Sequence, residues 1–337
     1  MGRTVSLRRR IVALLKDKAS LSKASFLSAA SLRLALLRAT THHPPTPPDD
    51  RRLSDLLLLG QTSRAAASPL ISALMDRLHR TGDSVVALKC LLIVHHIIRR
   101  GPFILQDQLS IFPAAGGHNY LNLSAFRDGA AWSLSRWVRW YARYLETLLS
   151  TSRAFGYFLC SSAAIKDSDD LRISSFLNSD LVREIDALAA LVEEICKLPD
   201  ADADRSGDGA LVKEIIGFII GDYLTAANEL LRRLGEAGGR LACLSFGDSF
   251  ELVCALKRLL NCRETLSAIC VVQKPSIEMM WSTIEELKDR IQKLQVYRDG
   301  GKFLILGTRA KPSESARFDG RVIRVGGDSV EFHSGRF

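Results

Sequence analysis

The sequence contains no apolar run long enough to cross a lipid bilayer. A membrane-spanning helix needs about 18 or more apolar residues, and the longest run, residues 85–98, is interrupted by Lys89, His95 and His96. The first residues are basic but lack a sustained apolar core and a small-residue cleavage site, so we do not expect a secretory signal. Their Arg and Ser content, with one acidic residue before residue 49, leaves a mitochondrial transit peptide as an alternative.

Catalytic and metal-binding motifs are also missing. There is no G-x-S-x-G, no G-x-x-x-x-G-K-[ST] and no H-E-x-x-H. The glycine pairs lack the strand–turn–helix setting of a nucleotide site, so we expect neither an enzyme nor a cofactor. No cysteine belongs to a C-x-x-C pair, and we expect free, mostly buried thiols and no metal site. The seven cysteines are Cys90, Cys160, Cys196, Cys243, Cys254, Cys262 and Cys270.

The composition is that of a globular protein with an uneven charge. Of the 337 residues, 47% are hydrophobic and 25% are charged, and the formal net charge is +9. Residues 1–110 hold 17 Lys and Arg against 7 Asp and Glu, a net of +10, whereas the remainder holds 29 against 30, a net of −1. A basic first third indicates an anionic partner, either a membrane or a nucleic acid.

Almost every periodic segment predicts a helix. We expect helices over residues 7–18, 31–38, 53–60, 70–79, 85–100, 132–149, 181–198, 210–234, 246–271 and 277–297. Pro69 is expected near the first turn of its helix and Asp83 as the cap of the next. Residues 85–100 are apolar nearly all round, which predicts a buried central helix. Adjacent His95 and His96 cannot both face one metal, so we expect one packed and one exposed ring.

Aromatic and basic side chains alternate along residues 132–149. An apolar stripe recurs at helical spacing and is expected in the core, and three arginines occupy another face. The stripe comprises Trp137, Tyr141, Tyr144 and Leu148, and the arginines are Arg136, Arg139 and Arg143. Aromatics interleaved with arginine are also found in single-stranded nucleic-acid binders, which leaves that alternative open.

The composition changes at residue 298, after which Gly, Ser and Arg dominate. We predict a mostly disordered tail over residues 298–337, dispensable for folding, with short β-like pieces at 303–306 and 321–325. This tail has no Asn-Pro-Phe or Asp-Pro-Phe sequence. Earlier in the chain, Asp55-Leu56-Leu57 lies inside a predicted helix and is expected in the core.

Residues 36–59 form two apolar helical runs separated by a proline-rich loop. Four prolines within residues 44–48 force the chain out of helical geometry. Arg38 ends the first run, Arg51 and Arg52 open the second, and His42 and His43 lie between them. Cations gathered at such a corner suit a multiply phosphorylated headgroup. The alternative is a solvated helix–loop–helix turn.

This stretch resembles the start of an ANTH domain, the phosphoinositide-binding module of clathrin-assembly adaptors. The similarity lies in Arg38-Ala-Thr-Thr-His42, followed by the basic pair Arg51-Arg52 and an apolar helix. The strings TGDSVVALKCLLIVHHIIRRG and RWVRWYARYL also resemble segments of that family. The resemblance covers nearly all of residues 5–297 and is greatest to the short plant clathrin-assembly proteins.

The resemblance implies an all-α fold in which an ANTH-like, superhelical stack of short helices (5–160) continues into a long-helix bundle (161–297) before the tail. It implies an adaptor that binds phosphatidylinositol 4,5-bisphosphate and supports clathrin-coated vesicle formation in endocytosis. Its partners would be clathrin, coat adaptors and vesicle SNAREs, and its location the cytoplasm, coated pits, coated vesicles and the Golgi. The predicted phosphoinositide-binding residues are Arg38, Arg51 and Arg52, which match the family motif, together with Arg33, His42 and His43 nearby in the sequence.

The sequence departs from the family pattern in its basic cluster. Asp49 and Asp50 stand where the family usually has basic residues, and Arg52 replaces the closing His or Tyr. Lipid binding is therefore expected to be weaker than in typical members. Two other function classes stay open: a helical protein–protein scaffold that binds no lipid, and a nucleic-acid binder that uses the basic first third.

Overall fold

The computed structural model describes residues 12, 15–18, 30–111, 119–129, 131–161, 169–200, 209–269, 275–307, 322–325 and 328–331. These residues are mostly helical, which confirms the predicted all-α class. No helix within these ranges is long and apolar enough to span a bilayer. Met1–Ile291 form one compact unit and Gln292–Phe337 a second. The expected division at residue 160 stays a prediction.

Five helices lie between residues 30 and 110. They are α1 (Ala30–Ala39), α2 (Asp50–Gly60), α3 (Arg64–Arg80), α4 (Ser84–Arg100) and α5 (Phe103–Ser110). The hydroxyl of Ser63 caps α3 by accepting the amide of Ala66 at 3.2 Å. Pro69 therefore lies well inside α3, and its predicted place near the first turn is wrong, because the Ser63 cap starts the helix earlier. Helix α5 was not predicted.

Helix α4 is the centre of this region, as predicted. Every residue from Ser84 to Ile98 is buried. Asp83 caps the helix as expected, since its carboxylate accepts the amides of Val85 and Val86 at 2.9 and 3.1 Å. The expectation of one exposed histidine ring is wrong. His95 and His96 are both buried, because Phe218, from a helix far along the chain, packs against both rings.

The later helices are longer. They are α6 (Trp132–Phe155), the short α7 (Asp169–Ser174), α8 (Asn178–Cys196), α9 (Gly209–Gly239), α10 (Phe246–Ile269) and α11 (Pro275–Gly307). Helix α6 packs between α4 and α8, and α8 also packs against α9 and α10. The predicted aromatic stripe of α6 is buried, and Arg136 and Arg143 are exposed on another face, as expected. The third predicted arginine, Arg139, is half-buried and donates to the carbonyl oxygen of Phe126 at 2.8 Å.

A buried polar group connects α4, α6 and α9. His95 Nε2 lies 2.6 Å from Asp222 Oδ2, and His95 Nδ1 lies 2.8 Å from the hydroxyl of Tyr141. Tyr144 donates its hydroxyl hydrogen to the same Asp222 oxygen at 2.7 Å. A carboxylate buried in this way is stable only if neighbouring donors replace its lost hydration. These contacts hold three helices in one relative arrangement.

Part of the predicted tail has regular structure. Residues 303–306, predicted as a β-like piece, belong to helix α11, so that prediction is wrong. A short apolar run alone does not distinguish a strand from a helix. The second predicted piece overlaps strand β1 (Val322–Val325), which pairs antiparallel with β2 (Asp328–Glu331). The rest of the predicted tail, residues 308–321, 326–327 and 332–337, lies outside the described residues.

Candidate functional site

The predicted basic corner lies where α1 gives way to α2. Helix α1 ends at Ala39, and a loop over residues 40–49 carries the four prolines to the start of α2 at Asp50. Arg52 Nη1 donates a hydrogen bond to the carbonyl oxygen of Arg38 at 3.0 Å. This bond joins the first turn of α2 to the last turn of α1. We use the name basic corner for Arg38, Arg51 and Arg52 together with this loop.

Arg38 and Arg52 are joined directly, Arg51 precedes Arg52 in the first turn of α2, and Arg33 lies farther back on α1. The side chains of Arg38, Arg51 and Arg52 are exposed at the corner. Arg33 is also exposed, but it precedes Arg38 by five residues on α1. Helical geometry places it about 7.5 Å back along the axis and about 140° around it. The corner itself is therefore formed by three arginines.

The two predicted histidines are only partly accessible. The backbone amide of His42 donates to both carboxylate oxygens of Asp17, at 3.0 and 3.1 Å, and its ring Nδ1 contacts the same carboxylate. The His42 side chain is 12% exposed, and His43 is half-buried. His42 thus connects the loop to the N-terminal segment. Within the described ranges, no three His, Cys, Asp or Glu side chains are grouped so as to hold a metal ion.

The two acidic residues of the corner, Asp49 and Asp50, lie at the start of α2. Asp49 is the N-cap of α2, and its side chain accepts the amide of Arg51 at 3.2 Å. Asp50 lies in the first helical turn. An acidic residue at either place is favourable against the helix dipole. These carboxylates therefore stabilise the start of α2, while their charge reduces the positive potential of the corner.

Two cations, the buried Lys89 and the half-buried Arg77, lie beneath the loop and were not among the predicted site residues. Lys89 is 2% exposed, and its Nζ donates to the carbonyl oxygens of Thr41 and Pro44 at 2.9 and 2.8 Å. Arg77 Nη2 donates to the carbonyl oxygen of Thr40 at 2.6 Å, and Arg77 Nε donates to the hydroxyl of the same residue. The loop is therefore fixed from below by α3 and α4.

One sequence signal could have identified Lys89. A lysine is almost never fully buried unless its ammonium group finds partners. Lys89 lies in an apolar run with no acidic residue inside it, so its partners must come from another segment. The sequence does not specify that segment, because the partners are backbone carbonyl oxygens of a loop distant along the chain. Arg77 gave no comparable signal.

Comparison with known proteins gives one family throughout. A sequence model of the ANTH domain matches residues 31–222. The chain is 48% identical to the Arabidopsis thaliana protein named "Putative clathrin assembly protein At4g40080", over all of this chain and 96% of that protein. It is 31% identical to "Putative clathrin assembly protein At5g10410" of the same organism, over 85% of this chain and 87% of that protein.

Proposed function

The chain belongs to the ANTH domain family, and on that premise we propose that it is a clathrin-assembly adaptor that attaches to membranes through phosphatidylinositol 4,5-bisphosphate. In this role it is a peripheral membrane protein at clathrin-coated pits and vesicles and has no catalytic activity. The names of its relatives support the clathrin role. Binding of vesicle SNAREs and residence at the Golgi rest on the family resemblance alone.

One observation carries the lipid part of the proposal. The bond from Arg52 to the Arg38 carbonyl brings together two exposed arginines that are 14 residues apart in sequence. Arg51 lies beside them in the first turn of α2. A headgroup with several phosphates needs charge-assisted donors from more than one direction, and planar guanidinium groups bind phosphate oxygens in pairs. Two helix ends supply these directions.

The charges give an order of magnitude for binding. Each Lys or Arg at an anionic membrane surface contributes about 1 kcal/mol. Arg38, Arg51 and Arg52 together then contribute about 3 kcal/mol, roughly a hundredfold in affinity. Asp49 and Asp50 repel the phosphates and offset part of this contribution. The net affinity is therefore sensitive to substitutions of either sign at the corner.

The test is co-sedimentation with phosphatidylcholine vesicles that contain phosphatidylinositol 4,5-bisphosphate. Reversing two charges with Arg38→Glu and Arg51→Glu should abolish measurable binding, because two attractions become repulsions. Arg183→Glu with Lys257→Glu is the matched control, since it reverses two exposed bases on α8 and α10. The control should bind like the wild type. Unchanged binding by the corner variant, with its helicity intact, would contradict the lipid assignment.

Removing the opposing charges should have the reverse effect. Asp49→Asn with Asp50→Asn removes two negative charges and keeps an asparagine, a good capping residue, at the start of α2. Affinity should rise by up to about tenfold, and the gain should shrink as salt is added. The scaffold alternative predicts no change in either variant. Displacement of the protein from vesicles by RNA or DNA would favour the nucleic-acid alternative.

A further inference from the structure

The loop of the basic corner has few free polar groups between Thr40 and Pro44. The hydroxyl of Thr40 donates to the carbonyl oxygen of Leu36 at 2.7 Å, and Arg77 binds both the hydroxyl and the carbonyl of Thr40. Asp17 accepts the backbone amide of His42. Thus the N-terminal segment and α3 each hold the loop at a different backbone position.

Lys89 makes the most contacts with this loop. Besides the carbonyl oxygens of Thr41 and Pro44, its Nζ reaches the hydroxyl of Thr41 at 3.3 Å. An ammonium group has three donors, and all three are used on one loop. Among the described lysines it is the one that is buried. A buried charge is stable only if hydrogen-bond partners replace the water it has lost. These contacts therefore favour one conformation of the loop.

We propose that Lys89 is a positioning residue of the phosphoinositide site: its charged Nζ holds residues 41–44 so that Arg38 and Arg52 face the same headgroup. This inference rests on the proposed lipid binding. Lys89 does not touch the lipid, because its three donors face backbone and hydroxyl oxygens of the loop. Its positive charge lies beneath the exposed arginines and also adds to the attraction for phosphate.

The surroundings of Lys89 make its charge sensitive to pH. Burial lowers its pKa to about 8, Asp17 and Asp83 oppose this change, and Arg52 and Arg77 add to it. The neighbouring thiol of Cys90 is uncharged over this range, since burial raises its pKa to about 12. His42 faces the same loop through Asp17. Lys89 is thus largely protonated at pH 7 and largely neutral at pH 9.

The closing experiment compares the wild type with Lys89→Met, which has a chain of similar length but no charge or donor. Binding to phosphatidylinositol 4,5-bisphosphate vesicles is measured at pH 7, 8 and 9, and Lys89→Met serves as the reference for any change in lipid ionisation over this range. Wild-type affinity should fall about fivefold from pH 7 to pH 9. Lys89→Met should be about fivefold weaker at pH 7 and show no further fall. Lys257→Met, an exposed lysine on α10, should follow the wild type.

A second readout needs no lipid. Hydrogen–deuterium exchange at the amides of Thr41, His42, His43 and Thr46 should be about tenfold faster in Lys89→Met than in the wild type. The positioning role would be overturned if Lys89→Met exchanged these amides at the wild-type rate and if its vesicle affinity fell between pH 7 and pH 9 as that of the wild type does. If Lys89→Met does not fold, a wild-type affinity that is flat from pH 7 to pH 9 would overturn it. If the wild type binds no vesicles, the proposed function fails, and exchange alone decides the role of Lys89.

Discussion

At the scale of single residues, the two buried histidines of α4 contact side chains from helices later in the chain. Burial alone would raise the pKa of Asp222, but the charge of His95, hydrogen bonds from His95 and Tyr144, and the charge of Arg99 together keep it below its ordinary value. The carboxylate therefore stays ionised inside the protein. Its hydrogen bond fixes the orientation of the His95 ring. The neighbouring His96 ring packs against Phe218 instead.

His96 is a second residue of α4, besides Lys89, whose titration has a clear consequence. Burial lowers its pKa to about 4, and the nearby charges of His95, Arg100 and Arg99 act in the same direction. In the unfolded chain a histidine has a pKa of about 6.5. Since the folded pKa is the lower one, the contribution of neutral His96 to stability is complete above about pH 6.5 and is lost as the pH falls towards 4.

We predict that His96→Phe removes this acid sensitivity. The ring would still pack edge-on against Phe218, whose centroid lies 4.7 Å from that of His96. The free energy of unfolding of the wild type should fall, relative to this variant, by about 3 kcal/mol between pH 7 and pH 4. Urea unfolding at several pH values measures it. The exposed His79→Gln is the control and should keep the wild-type slope, and a difference independent of pH would contradict the prediction.

The histidine pair shows how far the sequence could be used at this scale. Adjacent positions on a helix diverge by about 100°, which is why one exposed ring was expected. The expectation failed because α6 and α9 cover α4 on two sides, and helical periodicity gives no information on how many neighbours a helix has. The prediction that Asp83 caps α4 is confirmed, because capping depends on local geometry alone.

At the scale of helices, Arg233 joins α9 to α8 and α6. Its guanidinium group is fully buried, and its Nε donates to Glu184 Oε2 at 2.7 Å. Arg233 also pairs with Glu229 and lies over the ring of Phe155, 4.1 Å from the centroid. Burial lowers the pKa of Arg233, but Glu184 and Glu229 outweigh this and raise it above its ordinary value. The ion group stays charged inside the bundle.

We predict that Arg233→Met strongly destabilises the protein. The substitution leaves the buried carboxylate of Glu184, which is 3% exposed, without its cation. Breaking one side of a buried ion pair costs about 3–5 kcal/mol in the free energy of unfolding. Urea unfolding monitored by circular dichroism would measure the loss.

Two further variants test the cause. Arg233→Met combined with Glu184→Leu removes both charges of the pair and should recover much of the stability, because an apolar replacement of a buried ion pair is often tolerated. Lys257→Met, on the exposed face of α10, should cost little. A double variant no more stable than the single one would show that the unpaired charge of Glu184 is not the cause, and would leave the lost contacts of Arg233 with Phe155 and Glu229 as the cause.

The first and last residues of the helices show how much of the helical structure the sequence could predict. The periodic pattern predicted the long helices, but it placed the first residue of α3 too late and did not predict α5. Ser63 begins α3 through one side-chain bond, a signal weaker than the proline that follows it. Helix α5 has 8 residues, little more than two turns, and so presents almost no periodicity to detect. Tertiary packing determines such short helices.

At the scale of the whole molecule, positive charge and the candidate site coincide. The basic corner lies within residues 1–110, which carry a net charge of +10, whereas the rest of the chain carries −1. The sequence predicted the all-α class and located the corner, since both depend on local pattern. It did not predict the support beneath the corner from Lys89 and Arg77, because those contacts join segments 37 to 48 residues apart.

At this scale the chain also divides into two units, and we expect the first unit to fold without most of the second. Met1–Ile291 form a compact unit of their own, and α11 ends at Gly307. A chain that ends after Gly307 should therefore keep the thermal midpoint of the full chain within about 1 °C. Vesicle binding should also persist, because the deletion removes six basic and four acidic residues but none of the basic corner. Scanning calorimetry and co-sedimentation measure the two quantities.

Arg38→Glu with Arg51→Glu in the shortened chain is the control for corner-dependent binding. A clearly lower midpoint would show that residues 308–337 stabilise the first unit, and a loss of binding would place lipid contacts outside the corner.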